Sequence, residues 1–343
     1  MRSFAERTGV TSAAPQRRYL WTDAFAVCNF VGLARVTGDA SLDDLATRLI
    51  DRVHHTLGRH RGDDGRSGWL SGLSEEEGAA RPTAGGLRIG KSLPERAPDE
   101  PYDASLEWDR DGQYFHYLTR WMHALDVAAR ARRDVQLHRH ARDLARVAFE
   151  RFTHGRRMYW KMSIDLSRPL VASMGHHDPL DGLVTCLQID ETAIALGEKT
   201  TLGDAIDWLS SIVAGQDLST DDALGLGGLL ADASRVAQLG GHPQLLRQLI
   251  DAALEGLDTF GHELRSPAES RLAFRELGLA IGLRAVARVN EPALEPYVPL
   301  NEEITAFWRR PEHRRVESWT EHQDIDDVML ATALVPDGFV TLP

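Results

Sequence analysis

Apolar residues recur along most of this chain at the helical spacing, and the segments that carry them come in pairs joined by very short turns. Helices are expected from Leu20 to about Val36 and from Ser41 to about Leu57, joined at Thr37-Gly38-Asp39. The next pair is Gly112 to about Arg130 and Val135 to about Phe152, joined at Arg132-Arg133-Asp134. Pro179 to Leu196 and Leu202 to Val213 meet at Gly197-Glu198-Lys199; Asp222 to Leu239 and Pro243 to Phe260 meet at Gly240-Gly241-His242. A ninth helix opens at Ser266-Pro267-Ala268-Glu269, a capping box with proline in the first turn, and reaches about Val289. After Asn290-Glu291-Pro292 a tenth is expected near Leu300 to Trp308, and a last one from about Asp324. A repeat of hairpins about 40 to 50 residues long buries its apolar faces by stacking its units. Two architectures satisfy that pattern: an open solenoid that binds peptides, or a closed toroid with odd-numbered helices inside a ring of even-numbered ones.

Three segments break the rhythm. Residues 1–17 read as a polar arm. Residues 58–107 are rich in Gly, Pro and charge, far longer than an ordinary connection. Their Trp69, Leu70, Leu73, Leu87 and Ile89 are enough to pack down on something, which favours a lid over a linker. Residues 156–173, with Met158-Tyr159-Trp160-Lys161-Met162, alternate as a short hairpin would.

At 343 residues the chain can bury an ample core in one large domain spanning 1–343. With 39 Lys plus Arg against 51 Asp plus Glu, the net charge of −12 argues against nucleic acid or an anionic membrane as partner. Cys28 and Cys186 lie in apolar helical patterns and make no disulfide framework, as expected of a cytoplasmic protein. Met1 to Gln16 lacks a signal-peptide core, and no run approaches a membrane span.

The hairpin rhythm, the aromatic-rich helix starts and the Thr37-Gly38-Asp39 turn resemble the (α/α)6 barrels of the six-hairpin glycosidase type. That group includes many sugar hydrolases, the sugar 2-epimerases and some polysaccharide lyases. The resemblance covers most of the chain as architecture and carries over no individual catalytic residue. It implies an all-α (α/α)6 toroid with the long loop as a lid, acting on a small-molecule substrate, a saccharide.

In such a toroid the N-termini of the inner helices surround one mouth. The odd-numbered starts bring Trp21 and Asp23; Trp108, Asp111, Tyr114 and His116; His176, His177, Asp178 and Asp181; and His322, Asp324 and Asp326. The even-numbered helices begin with plain caps such as Ser41 and Asp134. Paired carboxylates with aromatic walls suit sugar chemistry, one carboxyl protonating the leaving oxygen while the other activates water or attacks the anomeric carbon. Asp23, Asp111, Asp178 and Asp326 are the candidate acids, expected around one mouth, with His177 as a neutral acid/base. Trp21, Trp108, Tyr114 and Trp160 are candidate walls; His116, His176, Asp181 and His322 are candidate hydroxyl partners. Asp178 and Asp181 are equally readable as helix-start acids, with Asp178 as cap and Pro179 in the first turn.

Other patterns carry less. Lys161 and Arg168 are either solvated cations or an anchor for an acidic sugar. The histidines lack metal-ligand spacing, and neighbours on an extended backbone point opposite ways, so no metal or other cofactor is expected. Gly85-Gly86-Leu87-Arg88-Ile89-Gly90-Lys91-Ser92 fits a phosphate-loop pattern without its strand and helix. Asp324-Ile325-Asp326-Asp327 matches the acid motif of helical terpene cyclases, so a lyase, isomerase or cyclase on the same scaffold stays open. So does a non-enzymatic helical-repeat binding protein.

Overall fold

The computed structural model describes residues 1–260, 264 and 266–342. Contacts divide the chain into two compact units: residues 5–27 with 41–213, and residues 1–4 and 28–40 with 214–343. They are called the N-terminal and C-terminal units below. Helices α1 (Arg2–Arg7), α2 (Leu20–Thr37) and α3 (Ala40–Leu57) carry residues of both.

The N-terminal unit continues with α4 (Glu75–Ala80), α5 (Ala104–Asp109), β1 (Gln113–Tyr114), α6 (Phe115–Arg132) and α7 (Val135–Phe152). Then come β2 (Thr153–His154), β3 (Arg157–Met158), β4 (Lys161–Met162), β5 (Pro169–Val171), α8 (Asp178–Leu196) and α9 (Gly203–Val213). Helices α6 and α8 bury residues on every side, Leu118, Trp121, Leu125 and Asp126 on the first, Leu180, Leu183, Cys186 and Gln188 on the second. Their hairpin partners bury one stripe only, Leu137, Leu144 and Ala148 on α7 and Ala205, Leu209 and Val213 on α9, and so does α3 with Leu45, Leu49 and Val53. A helix apolar all round sits inside its neighbours, whereas a striped helix faces water on one side. The alternation is therefore the inner-and-outer pattern anticipated from the odd and even helices.

The C-terminal unit repeats it. Here α10 (Ala223–Leu239) and α12 (Ala273–Ala285) are buried nearly all round, while α11 (Pro243–Thr259) and α13 (Leu300–Arg309) bury one stripe. Helices α14 (Glu317–Glu321), α15 (Gln323–Leu334) and α16 (Asp337–Val340) follow. No helix among the described residues is long and apolar enough to cross a membrane.

Several local expectations change. Residues 1–17 are not an extended polar arm: α1 forms, and Phe4, Ala5 and Val10 are buried. The helix expected from Gly112 starts at Phe115, because Gln113 and Tyr114 pair with Met162 and Lys161 as strand β1 against β4. The helix expected from Ser266 is a 3-10 turn at Ala268–Ser270, and α12 begins only at Ala273. Between them Arg271 makes a buried pair with Glu276 and covers the Phe307 ring, which commits that backbone to an extended path. Residues 58–107 are ordered, with Trp69, Leu70, Leu87 and Ile89 buried.

Helices α10 and α12 approach so closely that a Cβ on Gly227 would lie 2.1 Å from the Gly278 carbonyl oxygen. Alanine is normally worth about 1 kcal/mol over glycine inside a helix, but here backbone would have to move. Gly227→Ala should destabilise by about 1–3 kcal/mol, the usual cost of overpacking. Gly203→Ala meets open space and should change stability by less than about 0.5 kcal/mol. Thermal unfolding of both variants checks this; equal melting temperatures would refute the close approach.

Candidate active site

The groups with the chemistry of a site lie in the N-terminal unit and are assembled by two buried ion networks. Asp111, fully buried, accepts from Arg88 Nη1 at 2.6 Å and Arg61 Nη1 at 3.3 Å on one oxygen. Its other oxygen accepts the amides of Gly90 at 3.0 Å, Lys91 at 3.4 Å and Gly112 at 3.1 Å. Both oxygens are thus committed, so the structure gives Asp111 the task of tying the long loop to the start of β1 instead of proton transfer. The second network centres on Lys161, also fully buried, whose Nζ donates to Glu107 Oε1 at 2.9 Å and to the carbonyls of Glu107 and Arg110 at 2.6 and 2.8 Å. Lys161 therefore fastens α5 and is no substrate anchor. Arg168 likewise donates to the Arg96 carbonyl.

These fastenings set an aromatic wall. Tyr114 ends β1, Trp160 precedes β4, and Trp108 rides on α5. Trp108, 56% exposed, stacks on Trp160 at 6.2 Å; Trp160 lies 4.8 Å from Tyr114 and nearly parallel to His116 at 6.1 Å. Tyr114 and Tyr117 flank His116 at 5.3 and 4.8 Å, and Tyr117 shares a 2.6 Å hydroxyl contact with Tyr19. Four of the expected substrate-binding residues, Trp108, Tyr114, His116 and Trp160, thus meet in one place.

Asp178 stands beside them. Its Oδ1 lies 3.7 Å from His116 Nδ1, while Asp178 Oδ2, His116 Nδ1 and Tyr114 Oη are buried atoms without a hydrogen-bond partner. Asp178 is 4% exposed; burial, reinforced by the nearby Asp181 carboxylate, pushes its pKa well above the ordinary value. Dense ring packing and the Arg120 cation push His116 down to about 3, although 27% of its side chain is open. Burial thus favours the uncharged form of both the carboxyl and the imidazole. Arg120 pairs with Asp181 at 3.2 Å.

The structure also decides the helix start. His177 occupies the position before α8 and makes no side-chain cap bond, so Asp178 is the first helical residue with Pro179 behind it. Asp178 is not the cap. The chain must pass close to its carboxyl: a Cβ on Gly175 would fall 2.5 Å from Asp178 Cγ. His176 and His177 rest ring to ring at 4.5 Å ahead of it.

The remaining candidates go elsewhere. Asp23 is buried against Arg18 at 3.3 Å and accepts the Tyr19 amide at 3.1 Å, closing the start of α2. Trp21 is a core residue packed on Phe25 at 4.5 Å, not an open wall. Asp326 and His322 belong to the C-terminal unit. Exposed His322 packs near Phe274, and its Nδ1 lies 3.0 Å from the Ser318 carbonyl. Asp326 is fully buried, and burial raises its pKa to about 8 against the opposing effect of the Phe274 backbone amide. Sequence reasoning missed Tyr19, Lys91 and Arg120. Arg120 had a signal, since it follows His116 by one helical turn.

Within the long loop, the segment Gly85–Ser92 reaches this site; no helix follows it before Ala104, so it is no phosphate loop. Trp69 is turned away, packed against His55 at 6.1 Å and Arg59 at 4.7 Å, lining a separate cavity of about 600 Å³ with His54 and His140. Among the described residues no three His, Cys, Asp or Glu side chains group as a metal site.

No family model matches the chain, and no curated protein matches it in sequence. Solved structures do. A GH76 α-mannanase from Bacteroides thetaiotaomicron superposes with a TM-score of 0.59 at 9% identity, covering 93% of this chain and 86% of its own. A sugar epimerase from a ruminal bacterium gives 0.56 at 10%, covering 92% and 87%. Cellobiose 2-epimerase from Spirochaeta thermophila gives 0.54 at 14%, covering 93% and 86%. The chain shares the all-α (α/α)6 fold of these structures.

Asp326 yields a pH test. Its folded pKa of about 8 lies above the ordinary value of 3.8, so the native state holds a proton that the unfolded chain releases. Stability contributed by this group therefore falls as pH rises from about 4 to about 8. Asp326→Asn should raise the melting temperature more at pH 8 than at pH 5. An identical shift at both values would show that Asp326 is ionised in the native state.

Proposed function

We propose that residues 1–343 form one carbohydrate-active enzyme domain in which Asp178 is the acid/base group and Trp108, Tyr114, His116 and Trp160 seat the sugar. The observation that carries this reading is the almost fully buried Asp178 carboxyl, its pKa raised by burial, 3.7 Å from the His116 imidazole at the edge of an aromatic wall. An aromatic face supplies an apolar platform for a pyranose, and a carboxylic acid kept protonated at neutral pH can donate to a glycosidic oxygen as its C–O bond breaks. Asp181, ion-paired with Arg120, is the candidate second carboxylate for activating water. That the fold houses a mannanase and sugar epimerases supports the substrate class. The buried thiols of Cys28 and Cys186, not joined in a disulfide, suit the cytoplasm.

One observation favours a second chemistry. Burial favours the uncharged form of both members of the Asp178–His116 pair, which suits isomerisation, where His116 or His177 takes a proton from carbon next to a carbonyl and Asp178 returns one. Turnover of disaccharides in D2O separates the two: hydrolysis yields two monosaccharides, whereas isomerisation leaves the glycosidic bond intact and places deuterium on the reacting carbon.

In either chemistry the protonated Asp178 is required. The rate should therefore fall as pH rises through its elevated pKa, while His116 remains neutral down to about 3. Asp178→Asn should cost on the order of 100- to 10,000-fold in kcat. It should leave the melting temperature unchanged or higher, because the amide keeps the shape without a proton to lose. Full turnover in this variant, on a substrate the parent protein converts, would remove Asp178 from the mechanism.

A further inference from the structure

The cations around the aromatic wall are almost all spent on the fold. Lys161, Arg61, Arg88, Arg96, Arg110 and Arg120 each hold a carboxylate. Lys91 does not: among the described residues no carboxylate or other acceptor lies within bonding distance of its Nζ. Instead the ammonium sits 4.8 Å from the centre of the Trp108 ring and 5.7 Å from that of Tyr19. From Lys91 a row of rings leads through Trp108, Trp160 and His116 to Asp178, so a cation stands at one end and the acid at the other.

The placement is rigid. Asp111 accepts the Lys91 amide at 3.4 Å, and Arg61 donates to the Lys91 carbonyl at 2.7 Å, so the backbone is held from both sides. Gly90, at φ +94°, lets the strap touch the Arg18 carbonyl, which a Cβ would strike at 2.2 Å. Burial lowers the pKa of Lys91, with Lys161 adding to that shift and Asp109 and Asp111 opposing it. Asp111 is already neutralised by Arg88 and Arg61. The Asp109 carboxylate acts on the ammonium from beyond ion-pair distance, which leaves a partly dehydrated cation on ring faces open to a closer anion.

We propose that Lys91 is the anion-reading end of this site, so that the substrate is a saccharide bearing a carboxylate, sulfate or phosphate group. The inference rests on the sugar-enzyme reading above and narrows its substrate class. The ring faces hold the apolar side of the sugar, and Lys91 pairs with its charged substituent while Asp178 faces the reacting bond.

Binding to the Asp178→Asn protein separates recognition from turnover. Isothermal titration with a panel of neutral disaccharides and their uronate, 6-sulfate and 6-phosphate counterparts reads the preference. Charged members should bind about tenfold or more tightly than their neutral parents, as one charge-assisted hydrogen bond provides. The arm with the largest gain names the anion. Adding Lys91→Met should erase that gain without weakening neutral sugars, whereas Lys91→Arg should keep most of it. In the parent protein, Lys91→Met should raise KM for the charged substrate and spare kcat. Equal binding of charged and neutral members, or a gain that survives Lys91→Met in a protein with an unchanged melting temperature, overturns the proposal and leaves the Asp178 reading standing. If no saccharide of either kind is bound or converted, both readings fall together.

Discussion

One buried carboxylate holds the long insertion to the helical frame. Asp111 accepts two guanidinium groups and three amides, and four of those donors, on Arg61, Arg88, Gly90 and Lys91, come from the insertion itself. Removing one partner of such a network leaves buried charge uncompensated, at a cost of about 3–5 kcal/mol. Gln113, two residues on, works beside it: its side chain accepts the Leu87 amide and donates to the carbonyls of Gly85 and Ile164. The result is a loop as fixed as a strand. Lys161 and Glu107 do the same for α5, and so for Trp108. The aromatic wall exists because these polar groups, fully satisfied, leave the rings no alternative positions.

The helical frame was legible because its signal is local. Periodicity places most of the helices, and the contrast between acid-and-aromatic starts and plain caps singles out His116 and Asp178, which the structure brings 3.7 Å apart. What stayed hidden depended on partners remote in sequence. Asp111 and Asp178 are both acids near helix starts, yet Arg88 lies 23 residues from Asp111 and Arg61 lies 50. Nothing periodic connects them, so a structural carboxylate and a chemical one read alike. Lys161 misled for the same reason, its partner Glu107 being 54 residues away. The strands escaped because elements of two or three residues are too short to alternate. Lys91 stands in the sequence only as part of a phosphate-loop pattern, whose glycines turn out to serve close packing.

Asp178 shows how two electrostatic effects of opposite sign are decided. It is the first residue of α8, where the positive end of the helix dipole favours a carboxylate by about 0.3–1 kcal/mol at an exposed site and about 2 kcal/mol at most. Against that stand removal from water, which costs an unpaired ion several kcal/mol, and repulsion from Asp181. Desolvation and repulsion together outweigh the dipole, and the pKa of the carboxyl rises. Arg120 could have reversed the outcome, but it is paired with Asp181, one turn further along the same helix. Its remaining influence falls on both neighbours: it pulls the Asp178 pKa down against burial, and at His116 it adds to burial in opposing a second positive charge. Burial thus acts on both groups towards the same end, favouring the uncharged form of the Asp178 carboxyl and of the His116 imidazole.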